Sequence, residues 1–168
     1  EHELNHSSLT FTADNWDTPQ TITVTGVDDD VVDGDSITTL TATASDTGGY
    51  DGSETSAITV KTTDNETAGI TIGGNGTTDG SGNLLTSEGG RSSIFTVELD
   101  AQPTGDVTVT LSVDDDSEHW LSHSELTFTA DNWDTYQTVT VTGIDDDLDD
   151  GDIITTLTAI ASNTGGYA

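Results

Sequence analysis

The chain has 168 residues, 32 of them acidic and 2 basic, for a formal charge of −30, and only 30% are hydrophobic. Such a charge excludes attraction to nucleic acid or to an anionic membrane surface, and the absence of cysteine excludes a disulfide framework and a thiolate metal site. With so few apolar residues set against so much net charge, the composition borders on the disordered class, yet the apolar residues alternate cleanly in short segments, as disordered acidic tails do not.

Period-two alternation rich in Thr, Val and Ile, bounded by Gly, Asn and Asp, predicts strands near 8–13, 20–26, 37–44 and 55–62. After Asp64-Asn65-Glu66-Thr67 a new unit begins with a strand over Ala68–Ile72, followed by a Gly/Asn/Thr/Asp loop from Gly73 to Asn83. Further strands are expected near 92–99, 106–113, 125–130, 137–143 and 154–161. No stretch carries the 3.6-residue period over a helical length, and no apolar run approaches the roughly 20 residues that cross a bilayer. Evenly spaced short strands with turn residues between them predict an all-β chain of antiparallel β-sandwiches.

Residues 1–50 and 118–167 are nearly the same text at a constant offset, with roughly 39 of 50 positions identical, which marks a tandem array. Phe11-Thr12-Ala13-Asp14-Asn15-Trp16-Asp17-Thr18, for example, recurs as Phe128-Thr129-Ala130-Asp131-Asn132-Trp133-Asp134-Thr135. The chain is out of phase with its repeat. Residues 1–66 read as the C-terminal part of one repeat, with about four strands, and 67–168 as the next repeat lacking its last strand. A remnant with bare sheet edges is an aggregation hazard, so residues 1–63 are expected to be completed from outside. Upstream residues of a longer parent chain, or strands donated by a neighbouring copy, would both serve.

Each copy carries an acidic run after a strand: Asp28-Asp29-Asp30-Val31-Val32-Asp33-Gly34-Asp35 and Asp145-Asp146-Asp147-Leu148-Asp149-Asp150-Gly151-Asp152. Carboxylates this dense repel unless a cation sits among them, and Ca2+ takes 6–8 oxygen ligands from flexible loops. The pattern is not an EF-hand, because Thr39 and Thr156 stand where its closing Glu belongs. A solvated acidic loop, or an acidic surface adapted to high salt, is the plainer reading.

The order strand, Asp-Asp-Asp, two residues, acidic-Gly-Asp, strand resembles the Calx-β motif of sodium–calcium exchanger regulatory domains and large bacterial surface proteins. Leu85-Thr86-Ser87-Glu88-Gly89, Leu126-Thr127-Phe128 ahead of Gln137-Thr138-Val139-Thr140-Val141, and Asp64-Asn65-Glu66-Thr67-Ala68-Gly69-Ile70 resemble three further segments of that family. The resemblance implies tandem Ig-like (Calx-β-type) sandwiches with a calcium cluster at one end of each. Its matching ligands would be Glu1, Asp28, Asp29, Asp33, Asp64 and Glu66 in the first copy, and Glu88, Glu118, Asp145, Asp146 and Asp150 in the second. Ser36 and Ile153 stand where the family often has a further Glu, and Asn65 replaces a junction acid; Asp114-Asp115-Asp116 lies in a loop that compensates if it reaches the same end.

His2 with His6, and His119 with His123, form an H-x3-H pair in each copy, a spacing that suits a transition metal, although a role flanking the strand is the plainer reading. Trp16 and Trp133 either stack on sugar or cap one end of the sandwich. Sequon-like triplets at Asn5, Asn65 and Asn75 are expected by chance in so Thr-rich a chain. No nucleophile–base arrangement, phosphate-binding loop or catalytic carboxylate pair can be assembled, so no enzyme is expected. The expected role is a calcium-stabilised repeat module of an extracellular or cell-surface bacterial fibre, stalk or adhesin. Its partners would be neighbouring repeats of the same protein, with strand complementation between copies or a glycan or cell-surface ligand, and neither nucleic acid nor membrane insertion. The alternative is an accessory or carbohydrate-binding module of a secreted polysaccharide-active enzyme.

Overall fold

The computed structural model describes residues 2–74, 76–147 and 151–167. Among these the chain is all-β, with antiparallel sheets and no helix. It divides into two compact units, one of Glu1–Asp29 and Gly34–Asn65, the other of Asp30–Asp33 and Glu66–Ala168.

The first unit holds β1 (His2–Leu4), β2 (Val24–Gly26), β3 (Ser36–Thr43) and β4 (Thr55–Thr62), paired as two separate two-stranded sheets, β1-β2 and β3-β4. The strand expected over 8–13 is absent, and the one expected over 20–26 shrinks to Val24–Gly26. Alternation alone does not make a strand: it needs a partner for its ladder and a face to bury. The described residues of this unit provide neither for 8–13, and among the described residues no fully buried apolar side chain falls here.

In the second unit, β5 (Ile70–Gly74), β6 (Ser92–Leu99), β10 (Gln137–Gly143) and β8 (His119–Leu121) form a sheet in the order β5-β6-β10-β8. A second sheet has the order β11-β7-β9, from β11 (Leu157–Ala161), β7 (Val107–Val113) and β9 (Glu125–Phe128). The alternation in each strand now has a purpose. Phe95, Val97 and Leu99 of β6 with Val139 and Val141 of β10 face Val107, Val109 and Leu111 of β7 with Leu126 and Phe128 of β9 in a single core. Two sheets sharing one apolar layer make a β-sandwich. Among the described residues its strands number seven, one more than the pattern predicts, because His119–Leu121 is too short to carry a period yet pairs with the end of β10.

Tyr167 closes the core. Its hydroxyl donates to the Ala101 carbonyl at 2.7 Å and accepts from the Ala101 amide at 3.3 Å, and burial pushes its pKa up. Residues of the first acidic run also belong to this unit: Val31 forms a parallel bridge with Gln102, whose amide donates to the Asp30 carbonyl at 2.7 Å.

Candidate functional site

One end of the sandwich is drawn together by backbone geometry. β10 pairs with β8 so that Gly143 lies opposite His119, and the next rung runs from the Ile144 amide to the Glu118 carbonyl at 2.9 Å. Glu118 therefore sits one residue from the start of the Asp145–Asp147 run. Gly143 also meets the segment carrying Glu88: a Cβ there would lie 2.5 Å from the Ser87 carbonyl oxygen, so only glycine lets the two backbones approach this closely. Gly151, at φ 81, is left-handed near the end of the second acidic run, as Gly34 at φ 84 is near the end of the first.

His119 ties these pieces. Its Nε2 pairs with the Thr86 hydroxyl at 2.9 Å and its Nδ1 with the Thr155 hydroxyl at 3.0 Å. The ring thus bridges the Glu88 segment to the approach of β11, while His123 pairs through Nδ1 with the Ser122 hydroxyl at 3.0 Å. The two histidines of this copy serve different hydroxyl partners.

A cleft of about 840 Å³ opens at this end, with Leu84, Phe95, Val141 and Leu157 among its apolar lining and Asp79, Glu88, Glu118 and Asp152 among its carboxylates. Asp79 organises the loop beside it. Its carboxylate accepts from the Asn83 side chain at 2.9 Å and from the Ser81 and Asn83 amides at 2.8 and 2.9 Å. These bonds, the Asn83 side chain first, hold its pKa below the ordinary value. Asp114 accepts from the Thr156 amide at 2.7 Å, which lowers its pKa and ties the end of β7 to the residue before β11. Asp115 caps its own turn on Ser117 at 3.1 Å. Neither Asp114 nor Asp115 nor Asp116 lines the cleft.

Of the acids expected to hold metal in the second copy, Glu88 and Glu118 line this one cleft. Asp145 and Asp146 follow β10 as exposed residues and do not line it; Asp150 lies outside the described residues. Among the described residues no three His, Asp or Glu side chains converge as a metal cluster. Four carboxylates line the cleft, from Asp79, Glu88, Glu118 and Asp152, beside the His119 ring and the Thr86 and Thr155 hydroxyls, and carboxylate oxygens are the donors a hard cation takes. In the first copy Asp28, Asp29 and Asp64 belong to the first unit, Asp33 and Glu66 to the second, and Glu1 lies outside the described residues. Asp64 accepts from the Gly34 amide at 2.5 Å and donates its own amide to Asp35 at 3.0 Å. An ion pair with Lys61 keeps the Asp35 pKa low.

The aromatic candidates part company. Trp133 packs against the core, whereas Trp16 is 72% exposed. Asn75 lies outside the described residues. Sequence reasoning passed over the Thr86–His119–Thr155 bridge and Asp79; the second had a visible signal in Asp-x3-Asn at a glycine-rich turn, the first had none. No family model matches this chain, and no curated protein or solved structure matches it either.

Proposed function

We propose that this chain is a calcium-stabilised repeat module of an extracellular bacterial fibre, stalk or adhesin, with a structural or adhesive role. The observation that carries the reading is the gathering of Glu88 and Glu118 in one cleft of the sandwich, with Glu118 paired one residue from the start of the Asp145–Asp147 run, in a chain of charge −30. The internal copy of 50 residues supports an array that repeats one module for reach. Glu88, Glu118, Asp145 and Asp146 would hold the ion. Bound Ca2+ would supply positive charge among carboxylates that otherwise repel, at hard oxygen donors suited to it.

By mass action a ligand confined to the folded form adds about 2.7 kcal/mol at a hundredfold excess over its Kd. Calorimetry in calcium and in excess chelator tests this: calcium is expected to raise Tm, and the double substitution Glu88→Gln with Glu118→Gln to remove most of that rise. An unchanged melt under chelation removes calcium from the account. The alternative, a carbohydrate-binding accessory module of a secreted enzyme, draws on the exposure of Trp16 and Trp120. Glycan binding abolished by Trp16→Ala or Trp120→Ala would favour it.

A further inference from the structure

We infer that the outer face of the sheet β5-β6-β10-β8 is a binding platform for an extended, uncharged polysaccharide, with Trp120 and Tyr136 as its stacking rings. The inference rests on the carbohydrate-binding reading above and gives that reading a place and a ligand class. All four strands of this face lie within residues 70–143. Val139 and Val141 of β10 turn to the core, so Thr138, Thr140 and Thr142 turn away from it.

Across the ladder, Thr138 lies opposite Thr96, Thr140 opposite Ile94, and Thr142 opposite Ser92, whose hydroxyl bonds to that of Thr142 at 2.8 Å. On the other side of β10, Trp120 of β8 lies opposite Thr142 and is 58% exposed. Tyr136 comes two residues before Thr138, so the same alternation places it on this face, where it is 61% exposed. Six positions of extended strand separate Tyr136 from Thr142, a span of about 20 Å. Two exposed aromatic rings thus stand at the ends of a strip of threonines, with Ile94 beside its middle.

The internal copy shows that the ladder does not need these rings. Glu3 lies opposite Thr25 between β1 and β2 as Trp120 lies opposite Thr142 between β8 and β10, so the strands pair in the same register with either residue. Pro19 precedes Gln20 as Tyr136 precedes Gln137. The threonines between them are kept, since Thr21, Thr23 and Thr25 correspond to Thr138, Thr140 and Thr142. Along a segment otherwise nearly unchanged, a carboxylate and a proline give way to two aromatic side chains on one solvent-facing surface. The rings serve something outside the sheet.

Charge and reach define the ligand class. Among the paired positions of this outer face Glu98, opposite Thr71, is the only charged side chain, in a chain of charge −30. The net charge repels polyanions, and the paired positions offer no cation to hold them. Cationic partners are drawn to the acidic runs instead. An uncharged chain of sugars meets neither obstacle. Its rings present C–H faces that stack on Trp and Tyr, and its hydroxyls exchange hydrogen bonds with those of Thr138 and Thr140. Only an extended chain of several sugars reaches both rings at once.

Pull-down of the whole chain on uncharged polysaccharides (cellulose, chitin, xylan and dextran) and acidic ones (alginate and hyaluronate) tests the platform. Titration calorimetry with oligosaccharides of the bound type follows. Binding to at least one uncharged glycan and to neither acidic one is expected, with a hexasaccharide about tenfold or more tighter than a disaccharide. Trp120→Ala and Tyr136→Ala should each weaken the hexasaccharide by about tenfold or more, and Trp120→Phe by much less, with Tm unchanged in every variant. Retained binding in both alanine variants, or loss in Trp16→Ala instead, overturns the platform and leaves the carbohydrate-binding reading standing. Binding to no glycan overturns both, and preference for an acidic glycan overturns the ligand class. Self-association of the chain that the same alanine variants abolish would put a second copy on this face and overturn the polysaccharide.

Discussion

Residues 8–20 and 125–137 are nearly the same sequence in two surroundings, and they share some structure and not the rest. The turn is common to both. The Asn15 side chain accepts from the Thr12 amide at 2.5 Å and that of Asn132 from the Thr129 amide at 2.6 Å. The Gln20 amide reaches the Thr10 carbonyl at 2.9 Å, and the Gln137 amide the Thr127 carbonyl at 2.8 Å. Everything beyond the turn differs. Leu126 and Phe128 form β9 against β7 and are buried, while Phe11 is 53% exposed and in no strand. Tyr167 is buried under two hydrogen bonds, and its counterpart Tyr50 is 57% exposed. Local side-chain-to-backbone bonds travel with the sequence; burial depends on a partner sheet.

The largest contrast is expected at the paired phenylalanines. Phe128→Ala should cost about 3–5 kcal/mol, for lost burial and the cavity left behind, whereas Phe11→Ala should change stability by less than about 0.5 kcal/mol. Denaturant unfolding of each variant of the whole chain reads the difference; equal costs would mean that the two copies are packed alike in solution. Next come the paired glycines. Gly143→Ala drives a methyl against the Ser87 backbone and should cost about 1–3 kcal/mol, while Gly26→Ala meets the Thr62 side chain, its methyl group at 3.0 Å, and should cost less. Calcium binding by Gly143→Ala would fall with it under the proposed function, since Glu88 rides on the displaced segment.

Tyr167→Phe should cost about 1–2 kcal/mol by stripping a buried carbonyl and amide of their partner, and Tyr50→Phe nothing measurable in the same melt. The smallest effect concerns acid. The folded pKa of Asp114 lies below the ordinary carboxylate value because the Thr156 amide donates to the charged form. Its contribution is therefore complete above about pH 4 and is lost as pH falls through the depressed value. Exchange protection of the Thr156 amide should fade below about pH 4 in the native chain. In Asp114→Asn, that protection should not follow pH in this range.

Much of the sandwich in the second unit was legible in the sequence. The alternation over 92–99, 106–113 and 137–143 placed β6, β7 and β10 within a residue or so at each end, because each has a clean apolar face and Gly, Asp or Pro nearby to stop it. The same rule failed at 8–13, where the pattern is as good as at 125–128 and the environment is not. The acidic runs were legible as charge. What Gly143 does for Glu88, and what the β8–β10 pairing does for Glu118, was not, since neither spacing nor composition records an approach between segments distant in the chain.

By itself the amino-acid sequence determined the repeat, the all-β class, the Asn-anchored turns and the concentration of negative charge, all of which follow from residues near one another in the chain. Only the tertiary structure decided which copy has a core, that residues 30–33 join the second unit, and that Glu88 and Glu118 share a cleft. Those depend on which strand finds a partner. A ladder or a buried face is the property of two segments at once, and one segment read alone carries half of the information.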